Sequence, residues 1–157
     1  MDSVVQPLRI IRYYHSLPVP AKKLQKLARS FYKKEHIPLC QSISVVFCSD
    51  HTIRKLNACY RRIDRATDVL SFTIGDKDLL GEIYISLQRA EIQARRYGVT
   101  YQEEVVRLFI HGFYHLLSYD HETKSESLRM SSKENAALQR YLSSWWVCCE
   151  DNGENWI

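Results

Sequence analysis

Ile110-His111-Gly112-Phe113-Tyr114-His115-Leu116-Leu117-Ser118-Tyr119-Asp120-His121 places three of the chain's six histidines within one short stretch. His111 and His115 are four residues apart, so on a helix they share a face with Cβ atoms about 6 Å apart, near enough for both rings to reach one ion. His121 cannot join them from the same helix, because six further helical residues would carry it about 9 Å along the axis and about 240° round it. The helix is therefore expected to stop near Ser118 and the chain to fold back. Three neutral imidazoles with a fourth position open is the donor set of a catalytic zinc rather than a structural one. The competing reading is a chance pair of helical histidines held by hydrogen bonds, and the third histidine at offset ten weighs against it.

The same offsets occur in the metzincin proteases, H-E-x-x-H-x-x-G-x-x-H. Here Gly112 stands where those enzymes carry their catalytic Glu, so a peptidase would lack its general base. Ser118 stands where they carry a Gly at the chain reversal, and a Ser is strained there if φ is positive.

Outward from this stretch, Thr100 and Glu103 have the spacing of a capping box at the start of the histidine helix. Val105, Val106, Leu108, Phe109, Phe113 and Leu116 make that helix apolar round much of its circumference, so it should run through the core. Gly112 in its middle costs about 1 kcal/mol relative to Ala, which close approach of another backbone or of substrate would compensate. Downstream, an amphipathic helix is predicted over 123–142, with Leu128, Ala136, Leu138 and Leu142 available for packing. The apolar tail Trp145-Trp146-Val147-Cys148-Cys149 then needs cover, from this chain or from another.

Upstream, Leu8 to Tyr14 reads as a strand, and Leu24, Leu27, Ala28 and Phe31 recur at helical spacing after Pro20. Lys22, Lys23, Lys26, Lys33 and Lys34 lie on the other faces of that helix, as a solvated surface or a phosphate-facing one. Ser42 to Cys48 reads as a buried strand, and Asp50 offers an N-cap to a short helix bearing Ile53, Leu56 and Tyr60. A charged loop over 61–68 leads to two strands, Val69 to Ile74 and Gly81 to Ser86. The turn-like Gly75-Asp76-Lys77-Asp78 between them suits a hairpin or a longer reach. A helix from about Ser86 to Tyr97 is closed by Gly98. These elements predict an α+β fold with about four strands and four or five helices.

A length of 157 residues, 45% of them apolar and 25% charged, fits one globular domain over 1–157. No apolar run approaches a membrane span, and the N-terminus carries no signal-peptide pattern. Five cysteines without a paired framework suit a reducing cytoplasm, and the Cys148-Cys149 pair reads as small apolar side chains before it reads as a redox pair. A net charge of +4 is compatible with a polyanionic partner but does not require one.

Three blocks resemble one family. Asn57, Tyr60-Arg61, Asp64 and Thr67-Asp68-Val69-Leu70-Ser71-Phe72 match the N-x-x-Y/F-R-x-x-D-x-x-T-D-V-L-S-F segment of the YbeY family. Leu79-Leu80-Gly81-Glu82-Ile83-Tyr84-Ile85 is similar to its L-L-G-D/E-I-x-I strand, and 111–121 to its H-G-x-x-H-L-x-G-Y-D-H motif, so the core motifs span 56–121. Ser118 replaces the family's Gly, Tyr114 stands where Leu is common, and the tail beyond Leu142 has no counterpart.

The resemblance implies a zincin-like domain with a mixed sheet beside the metal-bearing helix. It implies a zinc-dependent, single-strand-specific endoribonuclease acting in maturation of the 16S rRNA 3′ end and in ribosome quality control. The small ribosomal subunit and its assembly factors would then be partners. It carries His111, His115 and His121 over as ligands of one Zn2+, His111 as part of the catalytic centre, and Arg61 as the functional arginine of the RNA-facing cleft. A guanidinium fork suits a phosphodiester. Without the motif, Arg61 would be read as a salt-bridge partner of Asp64 or Asp68. Asp68 would brace Arg61 or cap the next turn, and Asp120 would orient a ligating imidazole from outside the metal's own contacts. Two other functions fit the same residues: a ribosome-associated binding factor with a structural zinc, and a zinc hydrolase of a small amide or ester.

Overall fold

The computed structural model describes residues 6–117 and 124–148, the second segment with side chains at 125, 128, 129 and 131–140. In chain order the elements are β1 (Leu8–Arg12), α1 (Ala21–Lys34), β2 (Ser42–Cys48), α2 (Asp50–Arg61), β3 (Val69–Thr73), β4 (Leu79–Ser86), α3 (Leu87–Tyr97), α4 (Tyr101–Leu117) and α5 (Lys124–Cys148). The four strands form one mixed sheet in the order β1-β2-β4-β3, and the fold is α+β as expected. The first three in that order run parallel, and β3 pairs antiparallel with β4 at the edge.

Residues 75–78 make a hairpin turn rather than a reach between distant strands. The N–H groups of Ile74 and Gly75 donate to the Leu80 carbonyl, and Gly75 takes φ +65°. β1 is two residues shorter than its pattern predicted. The N–H groups of Tyr13 and Tyr14 both turn to the Phe47 carbonyl, and the ladder stops there.

Strand alternation divides the packing between the two faces of the sheet. Ile43, Val45 and Phe47 of β2 and Ile83 and Ile85 of β4 point into the main core with side chains of α1, α3 and α4. Cys48 of β2 and Leu70 of β3 point the other way, onto Ile53 and Leu56 of α2, with Phe72 and Tyr84 beside them. α4 is the buried axis of the molecule, packed on α3, α5, β3 and β4. Its start is the expected capping box: the Glu103 N–H donates to Thr100 Oγ1 at 3.1 Å and the Thr100 N–H to Glu103 Oε2 at 2.8 Å. Gly98, at φ +68°, ends α3 as its position implied.

Two expectations fail locally. Asp50 does not cap α2; Ser49 does, accepting the Thr52 N–H at 3.3 Å from an extended conformation. The Asp50 carboxylate instead accepts the Ser86 hydroxyl at 2.6 Å and faces Arg89, joining the starts of α2 and α3. On α5, Leu128 is 70% exposed and Ala136 is exposed, whereas Ala137 is buried and Leu138 half-buried. The packing face is displaced from the predicted one, and the helix continues to Cys148. The side chains of Leu142 and of the Trp/Cys tail lie outside the described residues. No helix among those described is long and apolar enough to cross a membrane.

Candidate metal and phosphate site

His111 and His115 lie one turn apart on α4, with ring centroids 4.3 Å apart and planes at 65°. Both are half-buried. The turn that carries them is clamped to the sheet. Ser71 Oγ donates to the Gly112 carbonyl at 3.0 Å, and Thr73 Oγ1 to the Leu116 carbonyl at 3.5 Å. Gly112 faces β3 and β4 across almost no space: a Cβ there would lie 2.6 Å from Ile83 Cγ2 and 3.1 Å from Ser71 Oγ. The close approach expected at this glycine is therefore made by side chains of the sheet, and not by another backbone or by substrate. A carboxylate at this position would be driven into the core.

Glu134 of α5 completes the setting of His111. Its Oε1 lies 2.8 Å from His111 Nδ1. With the Nδ1 proton on that hydrogen bond, the Nε2 lone pair is the one free for a ligand, the arrangement in which a carboxylate fixes the orientation and basicity of a metal-binding imidazole. This donor chemistry fits a zinc ion at two of the three predicted positions. His121, Asp120 and Ser118 lie outside the described residues. Among the described residues no three His, Cys, Asp or Glu side chains come close enough to hold a metal by themselves.

Sequence reasoning missed Glu134, whose sequence separation from His111 gave no local signal. It also missed Arg107, which was legible because it sits four residues before His111 on the same helix. Arg107 is bound through two nitrogens to the buried carboxylate of Glu104, at 2.7 and 2.9 Å. That hydrogen bonding raises its pKa, and the charges of Asp68 and Glu134 also act on it. A fixed cation thus stands one turn upstream of the histidines, with Asp68, at the end of the 61–68 loop, within its field.

Arg61 ends α2 and is exposed. The salt bridges proposed for it as an alternative are not formed. Asp64 is taken by Arg54, at 2.8 and 3.1 Å, and the Asp68 carboxylate accepts the Val69 N–H at 2.8 Å and the Gln93 amide at 3.1 Å. Asp68 thus caps the start of β3 rather than bracing Arg61. Arg61 makes no ion pair among the described residues. The structure brings its neighbour Tyr60 over Phe72, with ring centroids 5.1 Å apart, and Phe72 lies between the two residues whose hydroxyls clamp α4. α2, which Arg61 ends, and α4, which carries the histidine pair, therefore pack on the same edge strand, β3, from its two faces.

The family model described as Endoribonuclease YbeY matches residues 13–142 of the chain. The chain belongs to this family. Among curated YbeY proteins it is similar to the endoribonuclease YbeY of Desulforamulus reducens, with 44% identity over 108 residues covering 62% of this chain and 71% of the relative. The endoribonuclease YbeY of Geobacillus thermodenitrificans is 38% identical over 131 residues, covering 75% and 84%. The solution structure of TM1509 from Thermotoga maritima superposes with a TM-score of 0.63 at 30% identity over 94% of this chain and 99% of that one. The YbeY match takes in α2 with Arg61 at its end, the β3–β4 hairpin, α4 and Glu134.

Proposed function

We propose that this chain, as one domain over 1–157, is a zinc-dependent endoribonuclease that cuts single-stranded RNA. Its setting would be the cytoplasm, in maturation of the 16S rRNA 3′ end and quality control of the small ribosomal subunit. The observation that carries the proposal is the His111–His115 pair, with His111 held by Glu134, in a chain of the YbeY family. His121 is the proposed third ligand of one ion. Bound there, zinc supplies Lewis acidity and neutralises charge on a phosphodiester.

The protein's own part is to orient and to hold. Glu134 holds the His111 ring through Nδ1, which would leave Nε2 available to hold the ion. Arg61 makes no ion pair among the described residues and offers two parallel N–H groups to the non-bridging phosphate oxygens, where charge grows in the transition state. Gly112 supplies no carboxylate, so the reaction does not use a metzincin-type base. Water is the proposed attacking group, which predicts 5′-phosphate ends; products with 2′,3′-cyclic phosphate would show attack by the 2′-OH instead. The test is cleavage of a labelled single strand against the same sequence in duplex form. Cleavage of the single strand, loss of it on metal chelation and recovery with zinc support the reading. Intact RNA with zinc-loaded protein would move the binding-factor reading ahead.

Glu134→Gln is expected to weaken zinc binding by about 10- to 100-fold, the usual cost of losing a carboxylate that braces a metal-bound imidazole. Competition with a chromophoric chelator measures this directly. Unchanged affinity would show that Glu134 serves only to dock α5.

A further inference from the structure

The sheet face opposite α4 carries an aromatic group that the metal and phosphate site does not use. In register across the strands, this face holds the rows Arg9–Ser44–Glu82–Phe72 and Ile11–Val46–Tyr84–Leu70. α2 covers its β3 end through Ile53 and Leu56. Beyond that cover, Tyr60 packs on Phe72 at 5.1 Å, and Phe72 meets Tyr84 edge-on at 5.8 Å. Tyr84 is half-buried, its hydroxyl donates to Glu82 at 3.0 Å, and burial foremost pushes its pKa up to about 12. The phenols of Tyr13 and Tyr60 add to that shift. Core packing accounts for Phe72 and Tyr84. It does not account for Tyr60, 65% exposed on Phe72, or for Tyr13, 70% exposed where β1 ends on the Phe47 carbonyl.

Large rings held in water beside a sheet, with arginines at both ends of the patch, match one kind of ligand. Arg61 follows Tyr60 directly and is exposed, and Arg9, also exposed, begins the first row. Unpaired bases have free faces to stack on tyrosine and a phosphate at every step for a guanidinium. A duplex hides those faces within its own stack. Glu82, which would repel a phosphate, sits on the floor of the patch, where a base amino group can donate to it.

We propose that Tyr60 and Tyr13 form a base-stacking subsite for single-stranded RNA that continues the phosphate site at Arg61. This rests on reading the chain as a nuclease of single-stranded RNA. The strand would lie with its bases on the rings and its phosphates outward, toward the arginines.

The test uses the full zinc-loaded chain and a fluorescent, 2′-O-methylated single-stranded RNA oligonucleotide, with binding followed by anisotropy at fixed salt. Tyr60→Ala and Tyr13→Ala are each expected to weaken binding by about 5- to 150-fold, the range for losing one stacked base. Tyr60→Phe keeps the ring and is expected to stay within about twofold of wild type. The wild-type protein should prefer the single strand to its duplex. Thermal unfolding of each variant separates lost stacking from lost structure, and Tyr13→Ala serves if Tyr60→Ala loosens Phe72. Wild-type affinity in both alanine variants overturns the subsite, as does an equal loss in Tyr60→Phe. Tyrosine-dependent binding without any RNA cleavage would keep the subsite and remove the nuclease reading. Cleavage of single-stranded RNA with tyrosine-independent binding would do the reverse.

Discussion

Arg61→Ala is expected to lower kcat/KM for single-stranded RNA by about 10²- to 10³-fold, the loss seen when one aligned donor to a developing oxyanion is removed. Zinc content and the unfolding midpoint should stay at wild-type values. The separation follows from where Arg61 stands. It is exposed at the end of α2, and its two acidic neighbours are engaged elsewhere, Asp64 by Arg54 and Asp68 by Val69 and Gln93. Truncating it removes no contact that holds the fold among the described residues. Lys55→Ala is the control for charge alone: it removes one exposed cation from the same helix and leaves the Arg54–Asp64 pair in place, and its cleavage rate should remain within about threefold of wild type. Arg61→Lys restores the charge without the planar fork and should recover only part of the rate. Equal cutting by wild type and Arg61→Ala would place the activity elsewhere.

Gly112→Ala is the second large effect, and here the fold carries it. The added methyl would sit 2.6 Å from Ile83 Cγ2 and 3.3 Å from Val69 Cγ2. Ile83 is fully buried and β-branched, with little rotamer freedom to give way. Ser71, at 3.1 Å, is held by its bond to the Gly112 carbonyl. Overpacking of this kind costs about 1–3 kcal/mol, while Ala gains about 1 kcal/mol in helix propensity. A net loss of up to about 2 kcal/mol is expected, read as a lower denaturant midpoint with an unchanged slope. To relieve the contact α4 must move away from β4, taking His111 and His115 with it, so zinc affinity should fall in the same variant. A variant as stable as wild type with full zinc affinity would show that the seat of α4 on the sheet is loose.

What was legible in the sequence was what is local. The capping box at Thr100 and Glu103, the stop at Gly98 and the buried strand Ser42–Cys48 are each decided within a few residues, and each forms as read. The errors have the same logic. Asp50 and Ser49 are both good capping residues, and the choice fell to Ser49 because Asp50 has a distant engagement with Ser86 and Arg89. α5 is rich in Ser, Lys and Glu, so its apolar positions are too sparse to set a face, and Ala137 rather than Ala136 is buried. Gly112 advertised a close approach, but only tertiary structure could say that Ile83 makes it. The histidine spacing named its own chemistry, whereas Glu134 belongs to the site through a helix-to-helix contact that no local pattern encodes. Arg61 is a plain surface arginine to composition and spacing, and only the surrounding motif singled it out.

β3 has five residues, and they are divided strictly by parity. Ser71 and Thr73 tie down the helix that carries the histidines, while Leu70 and Phe72 serve α2 and the tyrosine patch. Inserting or deleting a single residue within this strand would exchange the two sets, presenting rings to α4 and hydroxyls to α2. The length of the chain is therefore fixed here in steps of two. The hairpin at 75–78, a few residues on, is exposed, and its links to Gln41 and Ser42 run through the carbonyls of Asp76 and Asp78, which any residue supplies. Lineages that vary this protein in length should do so at the hairpin and leave the strand untouched.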